Sequence, residues 1–402
     1  MKRALVLSGG GARGSYEFGV WKALKELKID FDIVTGVSIG AINGAIIAQN
    51  DYKIAESVWR SINTSDVFYF DYDLHTPEGQ IKMYYQLAKN LIKDGGLALD
   101  KMEEILRKYI DEEKVRTSPI ELAIITYSYT KKKAIIKKVK DIEKGKLIDY
   151  IIASATCFPI VQPKKIDDEL FLDGGYYDAM PINLAIDMGA EEIIAVDLKG
   201  FGFNRRPKDR SKKLTIIKPN HDLGSILSFT KEDAELRMKL GYNDTMKTYD
   251  KYEGDIYTFY KNDLIKNYNK LSNLYQTLYK TYFKRSFISV NQHKEFRNIS
   301  DNLGKIYNMD ITRVYSIKKY NREILNKIIN GTRYDNIKQK IIHDNFYNIM
   351  IEKDRKKANV NILALSKLFK YSLYLYTIYN KSNVFYKIKF KLKLRRRTHG
   401  SN

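Results

Sequence analysis

The stretch FDIVTGVSIGAINGAIIAQ, residues 31–49, joins an apolar, β-branched run to a sequence of small residues through a short turn. The run FDIVTGVS predicts a buried strand, and IGAINGAIIAQ predicts a helix whose alanines and glycines allow close packing on a sheet. Gly36, Ser38 and Gly40 fall at the junction and form the pattern G-x-S-x-G. In this strand-to-helix context the pattern predicts a nucleophile elbow that exposes the Ser38 hydroxyl above the sheet.

The residues around Ser38 suit a nucleophile for a second reason. Val37 ends the predicted strand and Ile39 begins the predicted helix, so the positive end of the helix dipole points at the serine and favours developing negative charge. The alternative is a serine that only caps the helix. The strand before it and the helix after it favour the nucleophile.

A glycine-rich loop follows the first predicted strand, RALVL (3–7), within the stretch LVLSGGGARG (5–14). Two ligands fit such a loop, a dinucleotide pyrophosphate or the oxyanion of an ester under attack, because both require close approach of backbone N–H groups. A dinucleotide-binding unit also needs an acidic residue about 20 positions later, at the end of the second strand. Gly36, Val37 and Ser38 occupy that place, which favours the oxyanion loop. The loop consists of Gly9, Gly10, Gly11, Ala12, Arg13 and Gly14.

An activated serine needs a base, and histidine is scarce in this chain, with five in 402 residues. Only His221 follows the serine and an acid in the order typical of an α/β-hydrolase, and its simpler interpretation is a loop histidine. A stronger candidate is Asp173 in FLDGGYYDAMP, at the end of a predicted strand. Gly174 and Gly175 behind it allow a tight turn beside the carboxylate, although an ordinary Asp-Gly turn explains the same residues.

Strand and helix signals alternate through the first 200 residues, which predicts an α/β domain with a mainly parallel sheet. From about residue 223 the strand signals fade and the pattern becomes polar, tyrosine-rich and helical. We therefore predict a catalytic domain over residues 1–222 and an α-helical C-terminal region over residues 223–402.

Charge is distributed unevenly between these parts. The net charge is +22, and residues 231–402 carry 36 basic and 16 acidic side chains together with 19 of the 31 tyrosines. Lysine and tyrosine permit binding to nucleic acid or to an anionic membrane, but no nucleic-acid motif is present, so nucleic acid is not favoured. A biased base composition of the gene explains the same enrichment without any binding.

The sequence makes further predictions about location and cofactors. Too few apolar residues precede the glycines for a secretory signal, and no run of about 18 uncharged apolar residues occurs, so we expect a cytoplasmic protein. Cys157 is the only cysteine, which argues against a cysteine-ligated metal, and no metal or cofactor is predicted. The tail YKIKFKLKLRRR (386–397) alternates basic and apolar residues, which suggests an interfacial anchor or a lysine-protected edge strand.

Taken together, GGGARG, GVSIG and DGG resemble the corresponding motifs of the patatin-like phospholipases, and the likeness continues through IIASATCFPIVQP and YYDAMPINLAIDMGAEEIIAVD. It covers about residues 4–200 and extends more weakly to about 248. The resemblance implies a three-layer α/β/α domain and a serine acyl hydrolase acting on lipid esters. It also implies that Ser38 and Asp173 act as a dyad without histidine, that the glycine loop binds the oxyanion, and that an acyl-enzyme forms.

Two other functions remain open from the residues. One is a carboxylesterase with a Ser-His-Asp triad that uses His221. The other is a catalytically inactive protein whose C-terminal part binds nucleic acid or a membrane.

Overall fold

The structure is a computed structural model that describes residues 1–70, 72–283, 292–330, 334–351 and 362–382. It divides into two compact units, Met1–Thr248 and Tyr249–Asn402. The boundary predicted from the sequence lies at residue 222. In the structure, residues 223–248 pack with the first unit and not with the second. The tail at 386–397, suggested as an anchor, lies outside the described residues.

Eighteen strands and helices make up the first unit. In chain order they are β1 (Arg3–Leu7), α1 (Ser15–Glu26), β2 (Ile33–Val37), α2 (Ile39–Ala48), α3 (Tyr52–Ser61), α4 (Thr64–Val67), α5 (Pro77–Asp94), α6 (Asp100–Tyr109), α7 (Glu112–Arg116), β3 (Glu121–Ser128), β4 (Lys133–Lys138), α8 (Leu147–Ser154), β5 (Lys164–Ile166), β6 (Glu169–Asp173), α9 (Ile182–Asp187), β7 (Glu192–Val196), β8 (Lys213–Ile217) and α10 (Lys231–Thr248).

All eight strands join one sheet in the order β5-β6-β3-β2-β1-β7-β8, with β4 also paired to β3. The five strands β3, β2, β1, β7 and β8 run parallel, and β4, β5 and β6 add antiparallel pairs. Helices cover both faces: Ile182 and Leu184 of α9 share a buried cluster with Val6, whereas Gly44 of α2 lies against Val34 and Leu122. The predicted three-layer α/β/α fold with a mainly parallel sheet is confirmed.

Helix α10 belongs to the first unit because it packs along α1 and reaches the glycine-rich loop. The Tyr16 hydroxyl donates a hydrogen bond to Asp244 at 2.9 Å, and both residues are buried. The Arg237 side chain is 1% exposed and donates to the carbonyl oxygen of Ala12 at 3.0 Å. The polar composition of α10 predicted the helix, but these long-range contacts leave no signature in the local sequence.

The second unit is mainly helical, as predicted, but it also contains a small sheet in the order β11-β10-β9 that the sequence analysis missed. Buried tyrosines form much of its core, including Tyr257, Tyr275, Tyr320 and Tyr374, each 2% exposed or less. These tyrosines pack inside the unit and are not available for stacking on bases. The elements are β9 (Tyr252–Glu253), β10 (Thr258–Tyr260), α11 (Asp263–Phe283), α12 (Gln292–Ile306), β11 (Val314–Tyr315), α13 (Ile317–Asn330), α14 (Ile337–Ile351) and α15 (Ile362–Lys381).

Within the described ranges, none of the helices combines the length and the apolar character that a membrane crossing requires.

Candidate active site

Ser38 lies between the end of β2 and the start of α2, in a backbone conformation that non-glycine residues rarely adopt (φ 57°, ψ −128°). The turn is so tight that a Cβ on Gly36 would lie 2.3 Å from the Gly40 carbonyl oxygen, and a Cβ on Gly40 would lie 2.4 Å from that of Leu7. Glycine is therefore required on both sides of the serine. The structure has the strand-turn-helix geometry that the sequence predicted at this position.

A buried serine that the sequence analysis did not single out supports this turn. The backbone N–H of Ser38 donates to the Ser154 hydroxyl at 2.9 Å, and that hydroxyl donates to the Ile125 carbonyl oxygen at 2.6 Å. Ser154 thus connects the end of β3 to the residue that leaves β2. Its position at the end of α8 is fixed by tertiary packing, so only the fold identifies it.

The pairing of β3 explains how Asp173 reaches Ser38. β4 occupies one edge of β3, while β2 and β6 share the other edge in succession. Ile125 lies opposite Val37, and the next residue, Thr126, lies opposite Asp173. Because Ser38 directly follows Val37, Ser38 and Asp173 come together on one cavity, and the Ser38 hydroxyl is near enough to the Asp173 carboxylate to lower its pKa.

Gly174 makes this arrangement possible, since a Cβ there would lie 2.2 Å from the Ile125 carbonyl oxygen and 2.7 Å from Val37. The turn after β6 therefore has to pass directly over the ends of β3 and β2. The DGG pattern reflects a close backbone approach at this glycine.

The carboxyl group of Asp173 is buried, with 5% of the residue exposed. Burial raises its pKa from 3.8 to about 6, and the opposing effects are the hydrogen bonds from the Gly175 N–H, at 2.7 Å, and from the Ser38 hydroxyl. A carboxylate with this pKa is ionised at neutral pH and is a better proton acceptor than an exposed aspartate.

The glycine-rich loop lies beside Ser38, close enough that a Cβ on Gly9 would contact the serine Cβ at 3.3 Å. Three of its backbone N–H groups donate to carbonyl oxygens of the protein: Gly9 to Ala179, Ala12 to Ile226 and Arg13 to Gly10. In the part of the chain that the structure describes, the N–H groups of Gly10 and Gly11 have no acceptor, and both glycines line the same cavity as Ser38. Two backbone donors are therefore available for an oxyanion.

Arg13 and Gly14 hold the loop in place. The Arg13 guanidinium donates to the carbonyl oxygens of Gly224, at 2.9 Å, and Lys199, at 3.0 Å. Gly14 packs against Ile39 so closely that a Cβ would lie 2.3 Å from its side chain. With these contacts the Arg13 guanidinium orients the loop.

A second buried carboxyl group, which the sequence analysis missed, lies behind the loop. Asn43 donates to Glu17 at 2.9 Å and to the Gly14 carbonyl oxygen at 3.0 Å, and it accepts from the Trp59 indole at 3.2 Å. Burial raises the pKa of Glu17 to about 8, against opposing hydrogen bonds from Asn43 and the Ser8 backbone. This network joins α1, α2 and α3 beneath the glycine-rich loop.

Ser38, Asp173 and the loop face an open cavity with an empty volume of about 700 Å³. Cys157 also lines it, and burial, followed by the charge of Asp173, raises the pKa of this thiol to about 12. The cavity wall is largely apolar and includes Ile39, Ile42, Val67, Phe68, Leu99, Met102, Ile160, Val161, Phe201, Ile226, Leu227 and Phe229. An apolar group as large as an acyl chain fits this surface chemically.

A smaller pocket of about 420 Å³ shares Ile39, Ile42, Met102 and Phe229 with the cavity and continues between α2, α3 and α6. Trp59 and Tyr109 belong only to this extension. The two pockets therefore adjoin at these four side chains.

The histidine alternative receives no support from the cavity. Among its described lining residues there is no histidine, and His221 lies outside that set. Ser38, Asp173 and the glycine-rich loop are brought together, and His221 is not part of the group.

Comparisons with known proteins agree with the sequence resemblance. Residues 5–186 match the family model described as Patatin-like phospholipase. Patatin-like phospholipase domain-containing protein 6 of Mus musculus is 30% identical over 203 residues, and Lysophospholipase NTE1 of Candida albicans is 30% identical over 200 residues. Each match covers 48% of this chain and only 13% of the relative. The crystal structure of VipD from Legionella pneumophila aligns over 94% of this chain and 90% of that chain, with 15% identity and a TM-score of 0.37.

Proposed function

We propose that this chain, in which residues 5–186 match the patatin-like phospholipase family model, hydrolyses lipid acyl esters through a Ser38–Asp173 dyad. The observation that carries the proposal is that Ser38 and Asp173 lie together on one apolar cavity, beside two backbone N–H groups without an acceptor in the described residues. Each part has a separate role in acyl transfer, namely nucleophile, base and oxyanion binding.

In the first half of the reaction the Ser38 oxygen attacks the ester carbonyl carbon while Asp173 accepts its proton. The carbonyl oxygen becomes an oxyanion, and the N–H groups of Gly10 and Gly11 stabilise it. The tetrahedral intermediate then collapses, the C–O bond to the alcohol breaks, and the proton on Asp173 goes to the departing oxygen. An acyl-enzyme on Ser38 remains.

In the second half a water molecule attacks the acyl-enzyme, and Asp173 accepts a proton from it. The intermediate collapses by returning the proton to the Ser38 oxygen, and a fatty acid is released. The same carboxylate therefore acts as base and acid in turn, for which a pKa of about 6 is suited at neutral pH.

Substrate choice follows from the cavity lining. We propose that the acyl chain lies against Ile39, Ile42 and Met102 and that its far end enters the smaller pocket, towards Trp59. Burying methylene groups there would favour long-chain esters by about 0.8 kcal/mol for each CH₂ removed from water. The basic C-terminal part, with 36 basic and 16 acidic residues from 231 onward, would favour peripheral contact with an anionic membrane that carries such lipids.

The test is release of fatty acid from a lysophospholipid and of alcohol from a soluble ester by four proteins: wild type, Ser38→Ala, Asp173→Asn and His221→Ala. We expect both activities to disappear in the first two variants and to persist in His221→Ala, with circular dichroism unchanged throughout. Loss in His221→Ala equal to that in Ser38→Ala would favour a Ser-His-Asp carboxylesterase. Absence of any hydrolysis by the wild type would favour the inactive binding protein.

A further inference from the structure

The second unit contains its own cavity, which the proposed hydrolysis does not use. It lies where α11, α13 and the end of α15 meet, and its empty volume is about 1410 Å³, twice that of the cavity at Ser38. The charged side chains on its wall are Lys266, Lys270, Lys318, Arg322, Lys381 and Asp263. Five cations against one carboxylate give the wall a net charge of +4.

These cations are not neutralised by the protein. In the ranges that the structure describes, none of the five has an ion pair or a side-chain hydrogen bond, although elsewhere in the unit Arg297 pairs with Asp255 and Arg313 pairs with Glu323. The single carboxylate, Asp263, accepts the backbone N–H of Ile317 at 3.1 Å. All five residues are exposed, so the positive charge of the wall faces solvent, where an anionic solute can reach it.

The positions of the cations are unfavourable for the helices that carry them. Lys266 and Lys270 are four residues apart on α11, and Lys318 and Arg322 are four residues apart on α13, so each helix presents two like charges on one face. Lys266 and Lys318 also lie near the N-terminus of their helices, where the helix dipole favours anions over cations. Both helices therefore carry a repelling pair of positive charges at the same cavity, and a bound anion would reduce the repulsion.

Polar side chains complete the wall. The Asn267 amide donates to the Tyr374 hydroxyl at 3.1 Å, and the Asn321 amide donates to the Asn267 oxygen at 3.5 Å, so both asparagines belong to a hydrogen-bonded network behind the wall. On the wall itself, the Arg322 guanidinium matches two phosphate oxygens at once.

We propose that this cavity binds a small anion that carries two phosphate groups. Each phosphate monoester has a charge of about −1.5 to −2 at neutral pH, so two of them balance a wall of +4. The lysines and Arg322 bind the phosphates. Such a group occurs both in soluble sugar bisphosphates and in phosphorylated lipid headgroups.

The first experiment uses the full-length chain and fructose 1,6-bisphosphate as the soluble probe, in titration calorimetry at low salt. The cavity variant is Lys270→Gln with Arg322→Gln, and the matched control is Lys305→Gln with Lys319→Gln, which removes two positive charges outside the cavity lining. We expect the control to bind as the wild type does and the cavity variant to bind at least about tenfold more weakly.

The second experiment distinguishes the source of the phosphates. Vesicles of phosphatidylcholine with phosphatidylinositol bisphosphate are compared in sedimentation with vesicles brought to the same charge by phosphatidylserine. Loss of bisphosphate-vesicle binding in the cavity variant alone assigns a lipid headgroup, and loss of sugar-bisphosphate binding alone assigns a soluble ligand. Loss of binding to both probes supports a site that recognises two phosphate groups whatever molecule carries them.

The proposal is overturned if neither probe binds, or if the cavity variant and the control bind both probes equally. Removal of like charges should leave the cavity variant at least as stable as the wild type, so a failure to bind cannot be attributed to unfolding. Ser38→Ala should bind both probes normally, which separates this site from the proposed hydrolysis.

Discussion

Replacement of Asp173 by asparagine should stabilise the first unit at neutral pH while it abolishes ester cleavage. The buried Asp173 carboxylate accepts a hydrogen bond from the Gly175 N–H, and its charge is opposed by burial. Asparagine has an amide oxygen that can still accept from Gly175, and it carries no charge. The native protein therefore keeps a destabilising charge at the position where the proposed reaction needs a base.

The size of the effect follows from the pKa. Burial raises the pKa of Asp173 from 3.8 to about 6, and each unit corresponds to about 1.36 kcal/mol, so ionisation costs the folded state about 3 kcal/mol. Between these two pH values Asp173 holds more protons in the native state than in the unfolded state, so its contribution to stability falls as the pH rises and levels off above 6. Asp173→Asn should gain nothing near pH 3.5 and about 3 kcal/mol at pH 7.5.

The assay is urea unfolding of the full-length proteins at pH 4 and pH 7.5, followed by tryptophan fluorescence. The chain has two tryptophans, Trp21 and Trp59, and both are buried in the first unit, so the signal reports that unit. The control is Asp209→Asn, because hydrogen bonds from Ser211 lower the pKa of Asp209 and predict no gain at neutral pH. A gain for Asp173→Asn that is absent, or equal at both pH values, would refute the reasoning.

Three further predictions concern the same unit. The rate of fatty-acid release should fall about tenfold per pH unit below pH 6 and stay constant above it, because only ionised Asp173 accepts the Ser38 proton. The measurement is a pH–rate profile, and a midpoint above pH 7 would indicate another base. Glu17→Gln should leave the free energy of unfolding in urea nearly unchanged at pH 7, because a pKa of about 8 keeps this carboxyl group neutral. Glu17→Ala should lower that free energy by about 1–3 kcal/mol, because the Asn43 amide loses its acceptor. Gly174→Ala should lower kcat at least about tenfold with little change in KM, because displacement of Asp173 affects the chemical step; an unchanged kcat would contradict the geometry.

The sequence predicted the parts of the site that depend on local geometry. A strand followed by Gly-Val-Ser-Ile-Gly requires a tight turn, and the structure has Ser38 in that turn with glycines in close backbone contact. The same holds for the turn at Gly174. In both cases the glycines of a short pattern mark the turn, although the contacts that require Gly40 and Gly174 are with Leu7 and Ile125, which are distant in the sequence.

The parts that the sequence did not reveal depend on contacts between distant residues. Ser154 supports Ser38 across the end of β3, and Arg237 joins α10 to the glycine-rich loop. Neither residue belongs to a short pattern, and the packing of α10 along α1 is the reason that the first unit continues to residue 248.

Identification of the residue that an activated-serine probe modifies tests the dyad most directly. After incubation with a fluorophosphonate, tandem mass spectrometry should locate one adduct on the peptide that contains Ser38. We expect no adduct in Ser38→Ala and much slower labelling in Asp173→Asn, because the serine loses its base. Labelling of a different serine while Ser38 stays unmodified, or labelling of Asp173→Asn as fast as the wild type, would contradict the dyad.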